Sequence, residues 1–115
     1  MSRPHKYGAK PKTVDGIRFA STKEATRYQE LKLLEKAGLI RNVVLQPRFV
    51  LWAWTQEPAD AEHMPPTVGY YNADFMYLTE AGEQVIEDVK GFKTPLYKWK
   101  KRHVEAQYGI QIREI

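Results

Sequence analysis

The chain has 115 residues, which is close to the commonest size of a single domain. Hydrophobic residues make up 43% and charged residues 28%, as in an ordinary folded domain, and this composition argues against intrinsic disorder. There is no cysteine, which excludes disulfide frameworks, thiolate zinc sites and cysteine nucleophiles. The sequence shows no apolar run near the ~20 residues of a membrane span and no signal peptide, so we expect a soluble, cytoplasmic protein.

Charge is distributed unevenly along the chain. Residues 1–48 carry a net charge of +7, residues 49–89 carry −8 and contain no Lys or Arg, and residues 90–115 carry +5. Basic flanks suit a polyanion such as nucleic acid, while a carboxylate-rich centre suits a metal ion. The alternative is that solvated surface charges cluster by chance, and the charge pattern alone leaves both interpretations open.

The first predicted elements are a flexible arm and a helix. Residues 1–14 are basic and contain two prolines, so we expect an arm ahead of a single domain over 15–115. Ser21 is a suitable N-cap, and Glu24, three residues later, can complete a capping box. The run that follows is rich in strong helix formers and is closed by a glycine, which predicts a helix over 22–37.

The centre of the chain predicts three strands. Residues 43–54 are β-branched and aromatic and predict a strand that is interrupted at Pro47. After a proline-rich loop, residues 68–78 and 84–90 predict two more strands joined by a short hairpin. The remaining sequence predicts a helix to about Tyr108 and a last strand. The order helix, three strands, helix, strand is typical of an α/β fold with a mixed sheet.

The predicted hairpin gathers charged residues that are suited to metal chemistry. Asp88 and Lys90 are two apart on a strand, so both point to one face and Glu87 points to the other. A three-residue loop centred on Ala81 pairs Asp74 with Asp88 and places their Cβ atoms roughly 5 Å apart. Two carboxylates this close repel each other, and a divalent cation such as Mg²⁺ removes that penalty. A lysine beside them can contact a phosphate or the attacking water.

Two further residues are candidates for the same site. Helical spacing places Glu24 between Tyr28 and Leu31, so its side chain points at the sheet rather than at solvent. The alternative is that Glu24 serves only as the capping-box glutamate. Gln46 can hydrogen-bond a water or a phosphate and is a candidate catalytic residue, although turn chemistry beside Pro47 explains it equally well.

Several segments resemble one family of nucleases. The triplets NAD at 72–74 and DVK at 88–90 match the PD-(D/E)XK signature, in which a buried strand ends in Asp and the next strand carries an acidic residue, any residue and Lys. The wider segments KYGAKPKTVDGIRFASTKEATRYQELKLLEKAGLI, LQPRF, YNADFMY, IEDVKGFKT and YGIQIREI are similar, in this order, to small phage-encoded endonucleases that are themselves similar to Holliday-junction resolvases. The resemblance covers nearly the whole chain except 52–68. Ala73 stands where the signature often has proline, and Asp88 replaces the commoner glutamate.

The resemblance implies a fold, an activity and a set of functional residues. The fold is a restriction-endonuclease-like α/β core, with the order α-β-β-β-α-β and a mixed central sheet flanked by helices. The activity is that of a Mg²⁺- or Mn²⁺-dependent endodeoxyribonuclease acting on branched or structured DNA in recombination. Asp74, Asp88 and the backbone carbonyl of Val89 would bind the metal. Lys90 would orient or activate water, and Glu24 would support the metal-bound water or a second ion.

A basic surface for DNA is also predicted, and alternatives remain for the whole protein. The predicted nucleic-acid-binding residues are Lys93, Lys98, Lys101 and Arg102 around the second helix, with Lys6 and Lys10 of the arm. The ordinary alternative is a solvated basic helix face. The protein could also be an inactive nucleic-acid-binding module on the same fold, or a nuclease for RNA or single strands. Symmetric cleavage of two strands would need two active sites, so a homodimer is expected for that activity, and no membrane partner is expected.

Overall fold

The structure, a computed structural model, describes residues 10–53 and 64–115. These residues form eight strands and two helices. Among the described residues, neither helix combines the length and the apolar character that crossing a bilayer needs. In chain order the elements are β1 (Lys12–Val14), β2 (Ile17–Phe19), α1 (Thr22–Lys36), β3 (Ile40–Leu45), β4 (Arg48–Trp52), β5 (Thr67–Asn72), β6 (Phe75–Thr79), β7 (Gln84–Asp88), α2 (Pro95–Tyr108) and β8 (Ile112–Glu114).

Local sequence determines the N-terminal elements. β1 and β2 form an antiparallel hairpin whose turn residues, Asp15 and Gly16, have φ values of 52° and 74°, which favour this kind of tight turn. The last three residues of the predicted arm therefore belong to a strand, and its first nine residues lie outside the described ones. Ser21 accepts a hydrogen bond from the backbone N–H of Glu24 (3.1 Å) at the start of α1. The helix ends one residue earlier than predicted, before Gly38 with φ 78°.

Pairing of β3 with β6 and of β4 with β5 forms one long antiparallel ribbon that bends between two sheets. At the bend, the backbone N–H of Gln46 donates to the carbonyl of Asp74 (2.9 Å), and that of Ala73 donates to the carbonyl of Pro47 (3.1 Å). Gln46 has a φ of 51°, in the left-handed region. Two predicted strands are therefore each split in two. The strand predicted over 43–54 is interrupted beside Pro47, as expected, whereas the strand predicted over 68–78 is split at residues 73–74, which was not predicted.

The central sheet is mixed and has the order β3-β6-β7-β8. β3 pairs with β6 and β6 with β7 in antiparallel orientation, and β8 is parallel to β7. The parallel pair needs a crossover connection, and α2 provides it. The helix begins after Thr94, whose hydroxyl accepts a hydrogen bond from the Tyr97 N–H (3.0 Å), and it ends at Gly109, which has a φ of 65°. The protein is thus an α/β fold with a mixed sheet and two helices. It has more strands than the predicted α-β-β-β-α-β order because two strands are split and an N-terminal hairpin is added.

The apolar core consists of two clusters, one for each helix. Alternate residues of β7 pack into different clusters, with Val85 in the α1 cluster and Ile86 in the α2 cluster. This alternation decides the direction of the acidic residues that follow on the same strand. The buried members of the α1 cluster are Phe19, Ala25, Tyr28, Leu31, Ile40, Phe75 and Tyr77, and those of the α2 cluster are Leu51, Tyr71, Ala73, Ile86, Val104 and Ile112.

Candidate active site

The candidate site is built on the β6–β7 hairpin. Phe75 lies opposite Glu87, and the same register, continued by one residue, places Asp74 opposite Asp88. The backbone N–H of Asp74 donates to the carbonyl of Glu87 (3.0 Å), which extends the ladder beyond the end of β6. The predicted register, with a loop centred on Ala81, is therefore confirmed as far as Phe75 and Glu87, and Asp74 and Asp88 follow directly where this ladder ends.

The neighbouring carboxylates of β7 point to opposite sides of the sheet. Glu87 is fully buried on the α1 side, where Arg27 donates to both of its oxygens at 2.8 and 2.6 Å and the Tyr77 hydroxyl donates as well. The hydrogen bonds to Glu87 raise the pKa of the Arg27 guanidinium. Asp88 is equally buried on the α2 side, where the Tyr71 hydroxyl donates to Oδ2. Glu87 is thus a paired structural carboxylate, and it points away from Asp88 as predicted.

Asp88 has a buried oxygen that receives no hydrogen bond. Among the described residues, no donor is directed at Oδ1 of Asp88. The Nζ atom of Lys90 lies 3.2 Å from this oxygen, within the distance of an ion pair but without the geometry of a hydrogen bond. The ammonium group also lies 4.7 Å from the centre of the Tyr97 ring, a cation–π arrangement. The lysine is therefore held beside Asp88, on the same face as predicted.

Two more carboxyl groups lie close enough to act on Asp88 and Lys90. Asp74 accepts a hydrogen bond through Oδ2 from the backbone N–H of Val89 (2.7 Å). Burial, and next the close approach of the Asp88 carboxylate, raise the pKa of Asp74 to about 8, although the Val89 N–H opposes the shift. Burial also raises the pKa of Glu24, an effect that the charge of Lys90 opposes and that of Asp88 reinforces. The structure thus brings these five predicted residues together.

The donor set of this cluster fits a hard divalent cation. The described residues contain no group of three or more His, Cys, Asp or Glu side chains that could hold a metal ion, so Glu24, Asp74 and Asp88 do not form a three-carboxylate centre as they stand. Mg²⁺ needs less than that, since it is usually bound by one or two carboxylates and keeps several waters. Asp88 offers a buried oxygen that receives no hydrogen bond, and a divalent cation beside it would favour the charged form of Asp74, whose pKa is raised in the metal-free protein.

Two tyrosines of the site were not predicted as functional residues. Burial, and then the hydrogen bond to Asp88, raise the pKa of Tyr71, so its hydroxyl remains a donor. Burial, and then the hydrogen bond to Glu114, raise the pKa of Tyr97, whose ring lies against the Lys90 ammonium. The partner of Tyr71 depends on the bend in the ribbon, which the sequence does not signal.

Gln46 lies beside the cluster through its backbone. Its N–H donates to the carbonyl of Asp74, and its left-handed φ makes it part of the bend. The residue is exposed. This geometry agrees with the turn-chemistry interpretation and leaves the side chain able to reach solvent near Asp74.

The predicted DNA-binding residues fall into two groups. Lys93 and Lys101 each lie 3.3 Å from a carboxylate oxygen of Glu114, which also accepts a hydrogen bond from the Tyr97 hydroxyl (3.0 Å). These two lysines are partly neutralised by an acidic partner that the sequence did not reveal. Lys10, Lys98 and Arg102 are exposed, as is Lys93 beside Glu114, while Lys6 lies outside the described residues.

Comparison with known proteins identifies the family of the chain. No curated protein and no solved structure matches it. Residues 4–114 match the family model described as "Protein of unknown function (DUF1064)". Because this match covers nearly the whole chain, the protein belongs to the DUF1064 family.

Proposed function

We propose that the protein is a metal-dependent endonuclease of the PD-(D/E)XK type that hydrolyses phosphodiester bonds in DNA, with branched or structured DNA such as a Holliday junction as substrate. The observation that carries this proposal is the buried, donor-free oxygen of Asp88 beside Asp74 and Lys90. Paired carboxylates with an adjacent lysine are the groups that metal-assisted phosphodiester hydrolysis needs.

Each residue of the cluster has a task in this reaction. Asp74, Asp88 and the carbonyl of Val89 would hold Mg²⁺ or Mn²⁺, which supplies an activated water and neutralises charge on the phosphate. Lys90 places a positive charge where negative charge develops on the phosphate oxygens. Tyr71 fixes one oxygen of Asp88 and so leaves the other directed to the site. Glu24 is placed to accept a hydrogen bond from a water molecule.

The arrangement of the elements gives further support. α1 precedes a mixed sheet, the two acidic strand positions lie on the adjacent β6–β7 hairpin, and α2 connects β7 to the parallel strand β8. This order is compatible with the restriction-endonuclease-like core that the sequence resembles. The basic flanks support a polyanionic substrate, and we propose a homodimer for the cleavage of two strands.

The test is cleavage of labelled DNA by the purified protein. Linear duplex, single-stranded and four-way DNA are incubated with Mg²⁺, Ca²⁺ or EDTA, and an RNA strand of the same sequence is included. We expect cutting of the four-way DNA in Mg²⁺, binding without efficient turnover in Ca²⁺, and no cutting in EDTA. Cleavage at full rate in EDTA, or equal cleavage by Asp88→Asn, would overturn the proposal.

The second candidate is an inactive DNA-binding protein on the same fold. It is favoured by the ion pair between Lys90 and Asp88 and by the lack, among residues 10–53 and 64–115, of a ready three-ligand metal group. This candidate predicts equal DNA binding in Mg²⁺ and EDTA and no cutting of any DNA in the same assay.

A further inference from the structure

A cleft of about 240 Å³ opens next to Asp88 and Lys90, between β5 and the first turns of α2. It lies on the α2 side of the sheet, where Tyr71 and Tyr97 also line it. Besides Asp88 and Lys90, its lining includes Tyr70, Asn72, Leu96 and Lys100.

One wall of the cleft is an edge of β5. The backbone N–H of Ala73 points toward β4, since it donates to the carbonyl of Pro47. Because successive residues of an antiparallel strand direct their backbone groups to alternate sides, those of Tyr70 and Asn72 point away from β4. Among the described strands, β5 pairs with β4 alone. These backbone groups are therefore available as hydrogen-bond partners for a ligand in the cleft.

The lining of the cleft carries two ammonium groups beside the buried carboxylate of Asp88, and its border is apolar. Lys90 and Lys100 both line it, whereas the nearby Lys101 forms an ion pair with Glu114. Leu96 is 62% exposed and offers apolar surface that a ligand could cover. This combination of two ammonium groups, backbone hydrogen-bonding groups and apolar surface suits a nucleotide.

We propose that this cleft binds one unpaired nucleotide of the strand that is cut, with its phosphate at Lys90 and Lys100 and its base against Leu96. At about 240 Å³ the cleft is small, so it has room for at most one nucleotide unit and not for a segment of duplex. The inference rests on the proposed nuclease function and narrows its substrate to DNA with an unpaired nucleotide next to the cut, as at a branch point. In this arrangement Lys100 would contact the phosphate of the bound nucleotide.

The test uses the ¹⁵N-labelled full chain and thymidine 5′-monophosphate, titrated by NMR in buffers containing either Ca²⁺ or EDTA. We expect the amide signals of Tyr70, Asn72 and Lys100 to shift in at least one buffer, with thymidine lacking the phosphate causing much smaller shifts. Lys100→Ala should raise the half-saturation concentration roughly tenfold or more, the usual effect of losing a charge-assisted hydrogen bond. Lys36→Ala removes the same charge from the end of α1 and should leave the titration unchanged.

The outcomes separate this inference from the proposed function. Absence of shifts at the cleft in both buffers would overturn the inference, as would equal weakening by Lys36→Ala or equal binding of thymidine. If the protein cuts branched DNA and the nucleotide does not bind in the cleft, the nuclease proposal stands and the subsite is wrong. If the nucleotide binds there and no DNA is cut, the nuclease proposal fails and the subsite stands.

Discussion

Glu87 and Asp88 are adjacent on β7, both are fully buried, and each accepts a hydrogen bond from a tyrosine hydroxyl. Their surroundings differ in charge. Glu87 receives two hydrogen bonds from the guanidinium of Arg27, which matches its negative charge. Among the described residues, Asp88 has only Lys90 as a positively charged neighbour, and the carboxyl groups of Asp74 and Glu24 interact with the same site. One oxygen of Asp88 receives no hydrogen bond.

Because both carboxylates are equally buried, burial of a carboxylate does not by itself indicate function. A buried ion pair with complete hydrogen bonding, as at Glu87, stabilises the position of a helix on a sheet. The ion pair at Asp88 lacks part of its hydrogen bonding and has more carboxyl groups than cations around it. Ionisable groups with perturbed pKa values, such as Asp74 here, are found preferentially at functional sites. The strand therefore carries a structural carboxylate on one face and a candidate catalytic one on the other.

Replacing Lys90 should produce the largest effect. We expect Lys90→Ala to lower the rate of DNA cleavage by roughly 10²–10³, because one placed charge stabilises a transition state by about 3–4 kcal/mol. Affinity for DNA should change little, since Lys90 would supply one phosphate contact among many. Single-turnover cleavage and fluorescence anisotropy measure the two quantities, with Lys36→Ala as the control. Poor binding with normal cutting at saturation would instead make Lys90 a simple phosphate anchor.

Neutralising the two carboxylates of β7 should have opposite effects on stability. In EDTA, Glu87→Gln should lower the free energy of unfolding by about 3 kcal/mol, because it leaves the charge of Arg27 without its main partner. Asp88→Asn should leave the free energy of unfolding unchanged or raise it, because it removes surplus negative charge. Urea unfolding measures both values. A larger loss for Asp88→Asn than for Glu87→Gln would reverse the assignment of the two residues.

The raised pKa of Asp74 predicts a pH dependence of the metal-free protein. Its pKa is about 8 in the folded chain and near 3.8 when unfolded, so the folded state holds the proton more tightly. The stability that this proton contributes is full below about pH 4 and is lost as the pH rises through about 8. Melting temperatures measured in EDTA should therefore fall over this range, and less steeply in Asp74→Asn. Equal slopes for the two proteins would contradict the raised pKa of Asp74.

The smallest effects are expected from the basic residues of α2. Lys98→Ala with Arg102→Ala should weaken DNA binding and make its dependence on salt shallower, by about 0.9 in log–log slope for each phosphate that the protein no longer neutralises. Lys93→Ala with Lys101→Ala should change the slope less, because Glu114 already pairs with both lysines. Anisotropy titrations at several salt concentrations compare the two pairs. A larger change for the second pair would show that Lys98 and Arg102 do not dominate binding to the phosphates.

The parts of the site that follow from local rules could be predicted. Strand alternation placed Asp88 and Lys90 on one face, and the three-residue hairpin loop set the pairing of Asp74. The N-cap and the glycine after α1 set the bounds of that helix to within one residue. These predictions depend on interactions between residues that are close in the sequence or joined by a short turn.

The parts that depend on distant contacts could not be predicted. Arg27 and Glu87 are 60 residues apart, and nothing in either segment indicates the pairing. The bend of the ribbon at residues 73–74 brings Tyr71 to Asp88, and it arises where two sheets meet rather than from local propensity. Ion pairs between α2 and Glu114 likewise require the crossover to β8.

The central claim is that a divalent cation binds on the Asp88 side of β7 and not on the Glu87 side. Isothermal titration with Mn²⁺ tests it directly on the wild-type chain, Asp88→Asn and Glu87→Gln, at a temperature where all three are folded. The account predicts similar affinities for the wild-type chain and Glu87→Gln, and binding at least about tenfold weaker for Asp88→Asn. Equal affinity of Asp88→Asn and the wild-type chain would contradict it.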